Sequence, residues 1–145
     1  MVKLNLGAGE RKRLNCINID INPNHEPDLV RDITRGLPFH DEEVDEIWAE
    51  HILEHFDTED FVFIMNECHR VLNKEGILHI RSPHINHPTA FIDPGHKRFF
   101  IENSFNLFCE IGPNVADAGI KGHFGYLNIK VDDGELQVDL KKWSE

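Results

Sequence analysis

The sequence predicts an α/β fold built on a mostly parallel sheet, with an antiparallel C-terminal hairpin and helices reduced on one face. Three observations predict it. An apolar run at residues 4–6 empties into Gly7-Ala8-Gly9, and a second apolar run then ends in Asp20. Apolar runs at 44–49 and 77–82 flank one amphipathic stretch, and strand, helix, strand implies a parallel pair joined by a right-handed crossover. Residues 125–131 and 135–140 alternate around Asp132-Asp133-Gly134, which signals a hairpin.

The elements follow in order. Strands are predicted at 2–6, 16–20, 29–31, 44–49 and 77–82. Between 57 and 73, Phe61, Ile64, Met65, Cys68, Val71 and Leu72 recur at helical spacing. Asp57 or Thr58 caps this helix, Glu59 and Asp60 favour its N-terminal dipole, and Gly76 ends it. A second helix is predicted over 102–111, opened by Asn103 or Ser104 and stopped by Gly112-Pro113. Residues 10–15 between Gly9 and the second strand allow one helical turn at most, and the connections at 21–28 and 32–43 are short and rich in Pro, Asn and Asp. One face of the sheet should therefore expose apolar surface, for which a second subunit, as in a homodimer, is the candidate cover.

Composition bounds the rest. The 145 residues suit a single domain spanning 1–145. A net charge of −11 without a basic cluster argues against nucleic acid as a partner. No apolar run approaches the roughly 20 residues that cross a bilayer, and the N-terminus enters a strand at once, without a signal peptide. Cys16, Cys68 and Cys109 are odd in number and set among apolar neighbours, as reduced core cysteines of a cytoplasmic protein are. The ten histidines nearly balance the net charge, so solubility should fall as they protonate toward pH 5.

A glycine loop after one strand and a carboxylate at the tip of the next is how α/β sheets hold an adenosyl ligand. Gly7 and Gly9 let the backbone turn sharply and approach the ligand, and Asp20 offers an acceptor for ribose hydroxyls. Six segments in order carry a closer resemblance: LNLGAGE, INIDINP, DLVRDITRGLPF, VDEIWAEHILEHF, ECHRVLNKEGILHIRSPH and DPGHKRFF. Together they resemble the class I S-adenosylmethionine-dependent methyltransferases, with their Rossmann-like sheet, in a small branch that acts on small molecules.

The resemblance implies roles. Asn5, Gly7, Ala8 and Gly9 would lie by the methionine moiety of S-adenosyl-L-methionine, Asp20 and Ile21 at the ribose, and Asp32 and Ile33 at the adenine. Glu50 and His51 would line the far side, near the methyl group and a small-molecule acceptor. Two departures from the family pattern stand out. The Lys-Pro-Gly-Gly turn reads Asn73-Lys74-Glu75-Gly76, and the helix after the glycine loop is missing. Arg11, Lys12 or Arg13 is left to supply the positive charge of that helix N-terminus.

Methyl transfer from a sulfonium is an in-line substitution, so the protein supplies orientation, a dry pocket and, for a hydroxyl acceptor, a base. His51, His84 and His96 are the catalytic candidates, since imidazole titrates near neutrality. His84, His96 and Arg98 are the acceptor-binding candidates, with Arg98 suited to a carboxylate or phosphate. His55, Phe56 and His69 are read as supporting the fold, and His87 as a surface group. His84-x-x-His87 with Asp93 and His96 has the donor types of a zinc or iron site, but no metal is assigned. The acceptor group is read as a hydroxyl or carboxyl of a sugar or metabolite. A non-catalytic domain that binds the cofactor or its product, as a sensor or assembly subunit, is the alternative reading. A nicotinamide-dependent oxidoreductase ranks below both, because Lys12 stands where a third spaced glycine would.

Overall fold

The computed structural model describes residues 1–144, and among them seven strands form one sheet. They are β1 (Lys3–Leu6), β2 (Ile17–Asp20), β3 (Leu29–Val30), β4 (Val44–Glu50), β5 (Leu72–Pro83), β6 (Phe124–Asp132) and β7 (Glu135–Lys142). The strand order is β3-β2-β1-β4-β5-β7-β6. Pairings from β3 through β5 are parallel, and β7 joins β5 and β6 antiparallel. The mostly parallel sheet with its terminal hairpin is as the sequence predicts.

Side chains alternate across a strand, and here the two faces differ sharply. Leu4, Leu6, Ile19, Ile47, Leu78 and Ile80 are wholly buried on one face. Helix α1 (Thr58–Val71) covers it with Phe61, Ile64, Met65, Cys68 and Val71. Asp57 caps α1, its Oδ1 accepting from the Asp60 amide at 3.0 Å. The Phe61 ring lies 5.5–6.1 Å from those of Phe100, Phe105 and Phe108, which seals the helix to the chain beyond β5.

Two expectations are corrected. Helix α1 ends at Val71, and Leu72 turns directly into β5. Leu72 pairs with Val44 and is fully buried, so the strand takes the chain four residues before Gly76, which lies inside β5. No long helix spans 102–111 either. A 3-10 turn at Asn106–Cys109 holds that place, after the four-residue α2 (Thr89–Ile92). Pro113 opens the short α3 (Pro113–Asp117) instead of stopping a helix, because a proline at the first helical position loses no hydrogen bond.

The opposite face is polar. Asn5, Asn18, Trp48, His79, Arg81 and Asp139 share it by register. Asn5 Nδ2 donates to Asn18 Oδ1 at 2.9 Å and to the Arg11 carbonyl at 2.9 Å, and the Arg13 amide donates to Asn18 Oδ1 at 2.9 Å. These bonds lay the segment after Gly9 along the sheet where a helix would otherwise pack. The Trp48 ring stacks on His79 at 3.9 Å, with the Arg13 guanidinium 3.5 Å from its centroid. Asp139 accepts from Arg81 Nη1 at 3.0 Å and lies 2.8 Å from His79 Nδ1. The expected apolar surface is thus absent from this face. Exposed apolar side chains occur instead in the segment beyond β5, among them Phe91, Ile92 and Ile111, and along the edge strand β6, as Leu127, Ile129 and Val131.

Phe61→Ala should destabilise the fold by about 3–5 kcal/mol, measured by urea unfolding. A loss under about 1 kcal/mol would mean that the aromatic cluster does not hold α1.

Candidate functional site

Two cavities meet at the carboxyl ends of the parallel strands, where α/β sheets place ligands. The first holds about 490 Å³ and the second about 400 Å³, and His51 and His55 line both.

The floor of the first cavity is the glycine loop tied to β2. Gly7 and Gly9 have φ of 61° and 50°, in the left-handed region that glycine enters without strain. A Cβ on Gly7 would come within 2.2 Å of Ile52 Cδ1, whereas the space around a Cβ on Gly9 is open. The Gly9 amide donates to Asp20 Oδ2 at 2.7 Å, and the Asn22 amide to Oδ1 at 2.8 Å. Burial alone would raise the Asp20 pKa, but these two amides and His25, 3.3 Å away, outweigh it and hold the carboxyl below its usual value. Asp20 is therefore an anion, and it lines the first cavity.

Asp32 stands across this cavity. Its Oδ1 accepts from the Thr34 hydroxyl at 2.6 Å and amide at 3.0 Å, which lowers its pKa. Ile19, Ile21, Ile33, Ile52 and Phe56 supply apolar walls. His25 Nδ1 is buried; its 3.3 Å approach to Asp20 Oδ1 is not aligned as a hydrogen bond, and it has no other partner among the described residues. Size, apolar walls and a few convergent polar groups are what a small-molecule site of roughly 300–1,000 Å³ requires. The residues fit an adenosyl group.

Six candidates thus line the first cavity: Gly7, Asp20, Ile21, Asp32, Ile33 and His51. Others are placed differently. Asn5 faces the polar side of the sheet, bound to Asn18 and Arg11. The amide of Ala8 donates to the Ile19 carbonyl at 3.0 Å and that of Gly9 to Asp20, so these amides shape the loop. Glu50 is paired with Arg13 on the polar face. Of the three basic residues after the loop, Lys12 donates to the Glu26 carbonyl at 2.7 Å and Arg11 lines the second cavity.

The second cavity is lined by Glu54, Asp93, Asp133 and Glu135 against Arg11, with His51, His55, His87 and His96 among them. His51 has a φ of 54°, a conformation that costs a non-glycine residue about 1 kcal/mol or more and clusters at functional sites. Its Nε2 lies 2.8 Å from Glu135 Oε2, and its amide donates to the Arg81 carbonyl at 2.8 Å. His84 lines neither cavity. Its ring bonds Glu102 through Nε2 and accepts from the Asn86 amide at 3.1 Å through Nδ1. Arg98 lines neither, donating to the Phe56 carbonyl at 3.2 Å and Thr58 Oγ1 at 3.1 Å over the Phe61 ring. His69 supports the fold as expected, 3.0 Å from the His123 carbonyl, and burial lowers its pKa.

His25, Ile52 and Glu54, with His55 and Phe56 as cavity residues, carried no site signal that spacing or composition singles out. The repeat of polar groups in HILEHF comes nearest to one, since a 3-10 turn at Leu53–His55 carries Glu54 and His55 into the cleft.

The methyltransferase domain family matches this chain over residues 6–80, just over half of it. Among solved structures, an S-adenosylmethionine-dependent methyltransferase of Archaeoglobus fulgidus superposes with a TM-score of 0.67 at 14% identity, over 97% of this chain and 85% of its own. One from Methanosarcina mazei gives 0.67 at 19% identity, over 99% and 92%. The 1,6-didemethyltoxoflavin-N1-methyltransferase of Burkholderia thailandensis, solved with S-adenosylhomocysteine, gives 0.68 at 13% identity, over 99% and 71%. No curated protein matches. The chain belongs to the methyltransferase domain family, and its cofactor is S-adenosylmethionine. Among the described residues no helix is long and apolar enough to cross a membrane.

Asp20 carries a pH dependence of known sign. Its lowered pKa stabilises the fold fully above the unfolded value of about 3.9, and that contribution is lost as pH falls through the lower folded value. Asp20→Asn should therefore be less stable at neutral pH and show a shallower loss between pH 4 and 2, by urea unfolding across pH. An unchanged acid limb would show that the carboxylate is not held by its neighbours.

Proposed function

We propose that the chain transfers the methyl group of S-adenosylmethionine to an oxygen of a small molecule. The observation that carries the reading is the junction of the two cavities at His51 and His55: an adenosyl-sized space opens onto a polar one. In this reading Asp20 accepts from the ribose hydroxyls, and the second oxygen of Asp32 accepts from the adenine amino group. Gly9 leaves room for the methionine moiety, and Arg11 stands in for the missing helix N-terminus at its carboxylate. The bound cofactor supplies an activated methyl on a sulfonium.

The acceptor belongs in the second cavity. Four carboxylates against one arginine there disfavour an anionic acceptor. Of the hydroxyl and carboxyl acceptors considered, the hydroxyl of a sugar or similar metabolite fits better, and Arg98 is turned elsewhere. His51, held by Glu135, is placed to take the hydroxyl proton. His96 also reaches this cavity and serves acceptor binding. The free cysteines accord with a cytoplasmic setting. A homodimer, if formed, belongs at the apolar edge of β6.

Titration calorimetry with S-adenosylmethionine and S-adenosylhomocysteine tests the reading. Micromolar binding is expected, weakened at least tenfold, about 1.4 kcal/mol, by Asp20→Ala. Equal affinity in that variant would move the cofactor elsewhere. Cofactor binding without turnover across a panel of hydroxylated metabolites would favour the binding-module alternative. Sedimentation of the wild type and Ile129→Lys tests the edge, where a monomeric wild type would remove the homodimer.

A further inference from the structure

Glu54 is the most unusual side chain in the second cavity. It is 2% exposed, and its Oε1 is buried without a hydrogen-bond partner among the described residues. The other oxygen receives one long bond, from Ser82 Oγ at 3.3 Å. The nearest basic nitrogen to Oε1 is His51 Nδ1, 3.9 Å away. A carboxylate taken out of water this far is costly unless a cation or several donors meet it.

Two histidines face the same point. Among the described residues, one ligand atom each from Glu54, His55 and His96 lie within 4.8 Å of one another. The His55 and His96 rings meet edge to face at 4.8 Å. His96 is held for the purpose: its Nδ1 lies 2.8 Å from the Ala90 carbonyl. That contact fixes the tautomer that leaves the Nε2 lone pair free, as the outer hydrogen bond of a metal-bound histidine does. The Lys97 amide donates to the Glu54 carbonyl at 2.7 Å and stitches the two loops together. Gly95 keeps the approach narrow, since a Cβ there would sit 3.3 Å from His55 Nδ1.

We propose that Glu54, His55 and His96 form a binding site for one divalent first-row transition-metal ion. Two imidazoles and one carboxylate are the donors that zinc, iron(II) and cobalt(II) accept, and three protein ligands leave a position open to the cleft. Bonds of about 2.0–2.2 Å put tetrahedral ligands roughly 3.4 Å apart, so side-chain movements on the order of 1 Å close the site. Asp93, whose Oδ2 is 3.8 Å from His96 Nε2, stands beside it. The donor set differs from the His84-x-x-His87 grouping, because His84 is bonded to Glu102 and His87 to Thr89. The open position faces the acceptor cavity, so the ion would polarise an acceptor oxygen. Only that last role rests on the methyltransferase reading.

The test uses full-length protein purified without a histidine tag and stripped with a chelator. Titration with zinc chloride should show one equivalent bound with a Kd below about 10 μM, and cobalt(II) should give the visible absorption bands of a low-coordinate site. Glu54→Gln, which preserves shape, and His96→Ala should each weaken zinc binding at least tenfold, with folding checked by circular dichroism. Asp20→Ala should bind zinc as the wild type does, whatever it does to cofactor binding. Substoichiometric or millimolar zinc binding by the wild type would overturn the site. So would Glu54→Gln binding zinc as tightly as the wild type, which would assign the ion to adventitious surface histidines.

Discussion

One carboxylate organises the ligand end of this protein. Asp20 accepts from the backbone of the loop before it, at Gly9, and of the turn after it, at Asn22. The glycine loop therefore keeps its shape without a helix behind it. In a sheet with a full crossover, packing of that helix would fix the loop. Here the connection is too short to pack, and hydrogen bonds to a buried anion replace it. The same side chain also lines the cavity proposed for the cofactor. In the proposed site, local stability and cofactor binding would therefore rest on the same group.

The polar face of the sheet is the other consequence of the shortened connections. A face with no helices must be compatible with water, and alternation of a strand lets sequence change one face without disturbing the other. Asn5, Asn18, Trp48, His79, Arg81 and Asp139 occupy the positions that apolar residues would take under a helix. They bond to one another and to the backbone of residues 11–13. The protein thus has one apolar core, between the sheet and α1, and its ligand cavities open at one end of it. Burial explains Cys68 and Cys109 as well, since it pushes their thiols up to about 12 and about 11 and leaves them inert.

Much of this was legible in the sequence where the signal was local. Alternation, the apolar stripe of α1 and the Asp-Gly turn gave the strands, the helix and the hairpin. Gly7, Asp20 and Asp32 fall into one cavity because parallel strands bring their carboxyl ends to one edge of the sheet. The aromatic segment from Phe99 to Phe108 misled, since apolar spacing there serves a cluster around Phe61 rather than a helix. The polarity of the open face was written in Asn5, Asn18 and His79. Short connections alone do not reveal it, since they imply an uncovered face without saying whether that face is apolar or polar. Glu54 and His55 were hidden for a different reason. A 3-10 turn aims neighbouring residues into the cleft, and loops far apart in sequence bring His96 to them. No periodicity records such a meeting.

The site proposed for the adenosyl cofactor is the cavity between Asp20 and Asp32. A crystal structure of the protein with S-adenosylhomocysteine at saturating concentration tests it most directly. The expected result is the ribose hydroxyls on Asp20, the adenine beside Asp32 and Ile33, and the sulfur directed toward His51. Clear density for the ligand in another part of the molecule, or an empty cavity at saturation, would contradict it.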